Sequence, residues 1–196
     1  MSEPARSRRT GPAAAAGEAS AEALERLGSR IRAIPDFPSA GVSFKDLTPL
    51  MADADGLRLA VEQLAALTRE PQPDFVVAAE ARGFLLGPAL ALALGAGFVL
   101  ARKPGKLPYE TVSASYELEY GTNTLEVHSD ALGPGARVLV HDDLLATGGT
   151  ARALCELVES LGGEVVGCGF LIELAYLNGR EQLAGREVRS LLSYDC

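Results

Sequence analysis

The stretch 137–152, RVLVHDDLLATGGTAR, constrains the fold of this chain more than any other. Its apolar run at 138–140 is typical of a buried strand. His141 follows, and we expect it to be a hydrogen-bonded strand residue. Two adjacent acids, Asp142 and Asp143, come next, then a turn of small residues and an apolar pattern at helical spacing. The stretch therefore predicts a strand, a tight turn and a helix in succession.

The turn has the composition of an anion-binding site. Its residues are Ala146, Thr147, Gly148, Gly149 and Thr150, and its glycines allow the backbone to approach a ligand closely. We expect Thr150 to be the N-cap of the helix, because threonine side chains accept hydrogen bonds from first-turn N–H groups. Three or four free N–H groups, each contributing roughly 1.5–3 kcal/mol to a charged partner, would hold a phosphate monoester without a lysine.

The paired acids are unsuited to that phosphate, because like charges repel. Carboxylates are suited to hydroxyl groups, or to a magnesium ion through water molecules. A phosphate beside a diol or a cation is the signature of a sugar phosphate. A Walker A loop is excluded, because it requires Gly-Lys before a serine or threonine, and Ala151 and Arg152 follow the Gly-Gly-Thr here. An ordinary strand–turn–helix with a glycine turn remains the alternative.

The same stretch resembles the ribose-phosphate loop of type I phosphoribosyltransferases, and the resemblance extends over about 34–194. It implies transfer of a 5-phosphoribosyl group from phosphoribosyl pyrophosphate (PRPP) to a nitrogenous base. It also implies that Asp142 and Asp143 hold the ribose and that residues 146–150 hold the 5-phosphate. Mg²⁺ is the implied cofactor, bound mainly through PRPP and water molecules near the two acids rather than by direct protein ligands.

The spacing of apolar residues elsewhere favours one fold class. Helical spacing runs from the N-cap candidate Ser20 to Pro35, and it recurs at 53–69 and 86–94. Strands are predicted at 75–79, 98–101, 137–142, 165–174 and 188–194. This alternation predicts an α/β fold with a mainly parallel, twisted sheet covered by helices on both faces and ligand loops at its carboxyl edge.

The resemblance implies the type I phosphoribosyltransferase fold, with a small N-terminal hood and a mobile catalytic loop. We assign residues 18–196 to one phosphoribosyltransferase domain, with the hood at about 34–48. Residues 1–17 are small, polar and rich in alanine, proline and glycine. They bury too little apolar surface to offset the entropy of ordering, so we expect a disordered N-terminal extension.

Two cationic loops follow the predicted strands at 75–79 and 98–101. From the residues alone, each loop has two interpretations. The first is either a ligand-binding loop or a solvated loop with a local ion pair, and the second is either a loop that neutralises an anion or an ordinary solvated loop. In the family, such loops bind pyrophosphate. The resemblance points to Ala81 (through its backbone) and Arg82 in the first loop, and to Arg102 and Lys106 in the second.

The segment 113–121, SASYELEYG, is long and irregular for a compact fold. Loops of this kind are often lids, and a β-hairpin arm is the alternative, which is compatible with a lid. The segment resembles the mobile catalytic loop of the family. The resemblance implies that Glu119 contacts the base near its reacting nitrogen and that Tyr120 closes over the PRPP.

The segment 36–46 places two phenylalanines close to prolines and a glycine. It is either a surface connector or a wall on which Phe44 stacks against a flat base. It resembles the adenine-binding hood of the family, which reads the base mainly through its backbone. The resemblance implies adenine contacts from Val42, Phe44 and Lys45 (the last by its main chain), and from Leu174 on the opposite face of the purine.

These resemblances together imply the reaction adenine + PRPP → AMP + pyrophosphate. One alternative is the same chemistry on another purine, for which a basic side chain reading a 6-oxo group is expected. A second alternative is a regulator that binds PRPP without catalysis. Such regulators usually carry a DNA-binding domain, and a short tail precedes the catalytic-type domain here.

Composition limits the partners. A net charge of −8 argues against broad nucleic-acid binding, which requires a basic face. The uncharged segment 84–101 is interrupted by Pro88, Gly95 and Gly97, so we expect a helix, a turn and a strand rather than a membrane span. The expected partners are therefore small molecules, with a homodimer implied by the resemblance.

The chain has three cysteines without metal-binding spacing: Cys155, Cys168 and Cys196. We expect the first two to be buried free thiols, on a helix and a strand. An odd number of cysteines, without a signal peptide, fits a reducing cytoplasm.

Overall fold

The computed structural model describes residues 20–118 and 121–195. The predicted disordered extension 1–17 and the predicted site residues Glu119 and Tyr120 lie outside the described residues. The elements, in chain order, are α1 (Ala21–Gly28), β1 (Arg32–Pro35), β2 (Ser43–Asp46), α2 (Thr48–Ala52), α3 (Ala54–Thr68), β3 (Phe75–Ala79), α4 (Gly83–Leu94), β4 (Gly97–Ala101), β5 (Thr111–Leu118), β6 (Gly121–His128), β7 (Arg137–Leu145), α5 (Gly149–Ser160), β8 (Glu164–Leu174) and β9 (Val188–Tyr194). Two short 3₁₀ helices, Ala175–Leu177 and Gly179–Leu183, connect β8 to β9.

Five strands form one parallel sheet in the order β4–β3–β7–β8–β9. Neighbouring residues on each strand point to opposite faces, so Val76 and Val77 belong to different apolar cores. Residues of α5 and of the β5–β6 hairpin pack on one face, and residues of α1, α3 and α4 pack on the other. The predicted α/β class and the parallel sheet covered on both faces are confirmed.

Strand β7 is longer than predicted, and this places the acids. It runs to Leu145 because the long strand β8 continues to pair with it, with Asp142 opposite Phe170. On its other side, β3 pairs with β7 only as far as His141. Both acids therefore lie where one neighbouring strand has ended and the other continues, at the carboxyl edge of the sheet.

The N-terminal part differs from the sequence prediction. Ser20 is the N-cap of α1 as predicted, and its Oγ accepts a hydrogen bond from the Ala23 N–H at 3.2 Å. The helix ends at Gly28, however, and Ile34 pairs with Phe44 in the antiparallel β1–β2 hairpin. Tertiary pairing of the hood with this segment overrides the apolar spacing that predicted a helix up to Pro35.

The described parts of the segment, 113–118 and Gly121, belong to an antiparallel pair of strands, β5 and β6, as the alternative prediction stated. Helix α4 begins at Gly83, three residues before the predicted start. A Cβ at Gly83 would lie 3.0 Å from the Ala78 Cβ and 3.3 Å from the Asp142 Oδ1, so the helix starts in close contact with the sheet. Among the described residues, none of the helices has the length and apolar character needed to cross a membrane.

Candidate active site

A cleft at the carboxyl edge of the sheet brings together several of the predicted site residues. It is lined by Arg82, Tyr116, Asp142, residues 144–151 and Phe170. The turn at 146–150, called the phosphate loop below, forms much of its wall. Asp143 lies directly behind the cleft and is 1% exposed. The predicted sugar-phosphate residues are therefore adjacent, and Arg82 joins them from the end of β3.

The phosphate loop is held by contact between two backbones. Gly148 is the N-cap of α5 with φ of +87°, a conformation that side chains other than glycine rarely adopt. A Cβ on Gly148 would collide with the Gly179 carbonyl oxygen, and a Cβ on Gly179 would collide with the Ala146 carbonyl oxygen. The loop thus has its shape because two glycines allow this packing.

The prediction that Thr150 caps α5 is wrong. Thr150 lies in the first turn, since the left-handed conformation of Gly148 starts the helix two residues earlier. The Thr150 Oγ1 donates a hydrogen bond to the Tyr116 hydroxyl at 3.2 Å. Among the described residues, no side chain forms a capping hydrogen bond at this end of α5. The start of the helix is therefore open to an anion, as the loop composition suggested.

The two acids carry unfavourable charge. The Asp143 N–H donates to the Asp142 Oδ1 at 2.9 Å, and the Arg82 Nε lies 3.6 Å from the Asp143 Oδ2. Burial raises the pKa of Asp142, and the Asp143 charge raises it further. Burial also raises the pKa of Asp143, which the Arg82 charge opposes. The Asp143 Oδ1 is buried without a hydrogen-bond partner among the described residues. The pair is suited to a ligand that supplies hydroxyl groups or positive charge.

Asp142→Asn should stabilise the ligand-free protein. A carboxyl whose pKa is raised in the folded state destabilises that state once it ionises, by about 1.4 kcal/mol for each pKa unit. We expect the melting temperature at pH 7 to rise by at least about 2–4 °C. The gain should shrink as the pH falls towards about 3.9, where the unfolded carboxyl protonates. Scanning calorimetry over this pH range tests the prediction, with the exposed Asp130→Asn as control. Equal melting temperatures of Asp142→Asn and the wild type at pH 7 would contradict it.

The cationic loops meet through one acid. The Arg102 Nε donates to the Glu80 Oε2 at 2.6 Å, and the Lys103 N–H donates to the Glu80 Oε1 at 2.9 Å. Arg102 also donates to the Lys106 carbonyl oxygen at 3.2 Å. The local ion pair considered for the first loop therefore joins Glu80 to the second loop. The Glu80–Ala81 peptide bond is cis. Arg82 and Lys106 remain exposed at this edge.

The hood residues lie apart from the lining of the cleft. Phe44 is half-buried and contacts Phe37 edge to face, with ring centroids 5.2 Å apart. The Lys45 Nζ lies 4.4 Å from the centroid of the Tyr194 ring. Because its ammonium group is engaged there, the predicted contact with a base is left to the Lys45 main chain, and that contact stays a prediction. Val42 is 39% exposed.

Leu174 ends β8 and pairs with Tyr194 of β9, so the Lys45–Tyr194 contact joins the hood to the strand that carries Leu174. Sequence reasoning did not anticipate the contacts of Lys45 with Tyr194 and of Phe44 with Phe37. A cation–π contact leaves no spacing signal in one sequence, whereas the aromatic character of both residues was visible. Tyr116 and Gly179 were also missed, although each contacts the phosphate loop.

His141 is a strand residue, as predicted. It is fully buried, and its Nδ1 donates to the Gly169 carbonyl oxygen at 2.9 Å. Burial lowers the pKa of His141 to about 4, so the imidazole is neutral at pH 7. It therefore holds β7 against β8 beside the acids.

The chain is similar to known proteins over most of its length. Residues 52–189 match the model of the phosphoribosyl transferase domain. An adenine phosphoribosyltransferase of Rubrobacter xylanophilus is 61% identical over 172 residues, which are 87% of this chain and 93% of that protein. The crystal structure of the adenine phosphoribosyltransferase of Thermoanaerobacter pseudethanolicus superposes with a TM-score of 0.85 at 53% identity, covering 87% of this chain and 99% of that chain.

A structure of the adenine phosphoribosyltransferase of Saccharomyces cerevisiae, in complex with adenine and an imino-altritol bisphosphate, superposes with a TM-score of 0.83. It is 39% identical and covers 88% of this chain and all of that chain. The range matched by the domain model includes the cationic loops, the hairpin and the phosphate loop.

Proposed function

We propose that this chain, which belongs to the adenine phosphoribosyltransferase family, transfers the 5-phosphoribosyl group of PRPP to adenine and releases AMP and pyrophosphate. The observation that carries the proposal is the cleft in which the uncapped start of α5 lies beside two adjacent acids. An anion site next to carboxylates fits a phosphate attached to a hydroxyl-bearing ring. The base is assigned as adenine because the relatives carry that specificity in their names.

In the proposed complex, residues 146–150 hold the 5-phosphate through their backbone N–H groups. Asp142 and Asp143 accept hydrogen bonds from the ribose hydroxyls. The raised pKa values of both acids support this placement, because donors from a ligand stabilise their charged forms. Tyr116, which lines the cleft, supports the loop through its hydrogen bond with Thr150.

The leaving pyrophosphate is proposed to lie against the cationic loops. The Ala81 backbone and Arg82 approach it from the end of β3, and Arg102 and Lys106 from the end of β4. Glu80 orients Arg102 by a short hydrogen bond, so that a guanidinium group is in place before the substrate arrives. Fixed positive charge of this kind stabilises a leaving group that departs as an anion.

The purine is proposed to lie between Phe44 of the hood and Leu174, with Val42 and the Lys45 backbone at its edge. Adenine N9 forms a bond to ribose C1 as the bond from C1 to the pyrophosphate oxygen breaks, and the N9 proton passes to the carboxylate assigned to Glu119. Glu119 is assigned to the base near this nitrogen, and Tyr120 to closure over the PRPP. Holding both substrates in line contributes more than proton transfer does.

Magnesium fits this site as part of the substrate. Bound to PRPP, the ion supplies neutralising charge to the pyrophosphate and the ribose oxygens. The partnerless Asp143 Oδ1 and the raised pKa values of both acids are consistent with nearby positive charge. In the part of the chain that the structure describes, no three acids, histidines or cysteines group as a metal cage. Asp142 and Asp143 would hold the ion through water molecules.

The reaction is tested by measuring pyrophosphate release from Mg–PRPP with adenine, hypoxanthine, guanine and xanthine offered separately. Release with adenine alone is the expected result. Release with another base would keep the sugar-phosphate site but overturn the assignment of the hood. Tight PRPP binding without release for any base would indicate a regulator instead.

The proposed enzyme acts as a homodimer, with a second copy of the chain on helix α4. This helix carries no charged residue, and Leu92 is 83% exposed. Leu85 of the same helix and Leu100 of the edge strand β4 are each 45% exposed. Exposed apolar patches of this kind are typical of protein interfaces. A two-fold dimer would cover the patches of both copies at once.

Leu92→Glu should separate the dimer. A carboxylate forced into an apolar interface costs at least about 3 kcal/mol, or roughly a hundredfold in the dissociation constant. Sedimentation velocity should shift from a dimer towards the mass of one chain, 20.5 kDa. Leu177→Glu, at an exposed leucine outside α4, serves as the control and should leave the mass unchanged. A dimer that persists in Leu92→Glu would reject this surface.

We place the enzyme in the cytoplasm. Cys155 and Cys168 are buried with their Sγ atoms 3.8 Å apart and remain free thiols. Neighbouring unbridged thiols suit a reducing compartment. Its expected partners are adenine and PRPP, without nucleic acid or membrane.

A further inference from the structure

Arg180 forms a dense set of contacts at the carboxyl end of β8. Its Nε and one terminal nitrogen donate to the two carboxylate oxygens of Glu173, at 2.6 and 2.7 Å. Its other terminal nitrogen donates to the Val188 carbonyl oxygen at 2.9 Å. The Ser190 hydroxyl also donates to Glu173, at 2.6 Å. The bidentate pair therefore fixes the start of the second 3₁₀ helix against β8 and β9.

The residue before Arg180 is in contact with the phosphate loop. Gly179 lies so close to Ala146 and Gly148 that neither glycine could carry a Cβ. A Cβ on Gly179 would also lie 3.0 Å from the Leu145 side chain. Any shift of Gly179 must therefore shift the loop or open a gap behind it.

Glu173, the partner of Arg180, also lies next to the phosphate loop. In the pairing of β7 with β8 it lies opposite Leu145, the residue that precedes the phosphate loop. It also precedes Leu174, the proposed wall of the base site. Arg180 thus connects Gly179, which contacts the phosphate loop, to Glu173 on β8. Glu173 lies opposite the residue before that loop and directly before Leu174.

We propose that Arg180 and Glu173 are positioning residues, which hold Gly179 against the phosphate loop and set that loop in register with Leu174. The proposal rests on the proposed function. Arg180 is absent from the lining of the cleft, so its effect on substrate passes through Gly179 and the loop. The expected ligand of the positioned loop is a sugar 5-phosphate.

A purely structural ion pair would behave differently. The Arg180 side chain is half exposed, but its partner Glu173 is 9% exposed, so loss of Arg180 leaves a nearly buried carboxylate unpaired and should lower the melting temperature. Arg137 provides a control at a distance from the cleft, because it forms a bidentate pair with the exposed Asp74 at the amino end of β7. Loss of the Arg137 pair should change the melting temperature little and leave ligand binding unaltered, whereas loss of the Arg180 pair should alter ligand binding in the folded protein.

The experiment measures ribose 5-phosphate binding by calorimetry for wild type, Arg180→Met, Arg180→Lys and Arg137→Met. We expect Arg180→Met to weaken binding about 10- to 100-fold, because a displacement of about 1 Å at a binding loop has effects of this size. Arg180→Lys should recover part of the loss, since lysine keeps one charged donor. Arg137→Met should bind as the wild type does. In turnover assays, the KM for PRPP should rise more than kcat falls.

Gly179→Ala provides a second test that leaves the ion pair in place. It should weaken ribose 5-phosphate binding as Arg180→Met does, and the double variant should lose less than the product of the two effects. Unchanged ribose 5-phosphate affinity in folded Arg180→Met would overturn the proposal, as would equal losses in Arg137→Met. Wild-type binding without adenine turnover would reject the proposed reaction alone. Absence of wild-type binding would overturn the positioning role together with the loop assignment.

Discussion

Gly148→Ala should reduce the affinity for ribose 5-phosphate by about 100-fold or more, because misplacement of a binding group by about 1 Å has effects of that size. Alanine is strained at φ of +87°, and its Cβ would collide with the Gly179 carbonyl oxygen. The loop must move away from Gly179, and the N–H groups proposed to bind the phosphate move with it. Calorimetric titration with ribose 5-phosphate measures the loss without requiring turnover.

Gly185→Ala is the matched control, because Gly185 has φ of +82° and open space where a Cβ would lie. Both variants carry the cost of alanine in the left-handed region, about 1 kcal/mol of stability. The collision with Gly179 is specific to Gly148. Similar affinities for the two variants would show that the contact between the two glycines does not shape the phosphate site.

Much of the sheet could be predicted because the residues of its strands form patterns that are visible within a few neighbouring positions. The apolar run at 75–79 matches strand β3, and the strand predicted at 188–194, where polar and apolar residues are mixed, matches β9. A buried parallel strand requires a continuous apolar run, which is visible in one sequence. The turn between β7 and α5 could be predicted for a similar reason, since glycines and hydroxyl residues after a strand form a local pattern.

The errors lie where distant parts of the chain decide the structure. Ile34 has helical spacing with Leu27, but it forms a strand because Phe44 of the hood pairs with it. Thr150 is a good N-cap by residue type, but Gly148 starts the helix because Gly179 packs against it. In both cases a contact across the chain overrides a local preference that is worth about 1 kcal/mol.

The residues that hold the phosphate loop in place were the hardest to predict from the sequence. Arg180 and Glu173 are seven residues apart, and their spacing carries no recognised motif. Tyr116 lies within a recognised segment, but its hydrogen bond to Thr150 depends on how the hairpin folds over α5. Local sequence patterns identify groups that meet a ligand. They do not report groups that act through another residue.

Glu119→Gln should lower kcat by about 10²–10⁴-fold, the usual contribution of a general acid or base. Glutamine keeps the size of the side chain and removes both its charge and its ability to exchange a proton. The PRPP affinity should stay close to that of the wild type, because the cationic loops and the phosphate loop are proposed to provide most of that binding. Single-turnover kinetics with Mg–PRPP and adenine separate the two quantities.

Glu110→Gln removes the same charge from an exposed position just before β5, so it should leave kcat unchanged and its PRPP affinity measures the effect of losing one charge alone. The comparison matters because the chain already has a net charge of −8, so loss of one acid alone alters the general attraction for an anionic substrate. Equal losses of turnover and PRPP affinity in Glu119→Gln would remove its proton-transfer role. In that case, the rate would depend on positioning by the two loops and on charge neutralisation at the pyrophosphate.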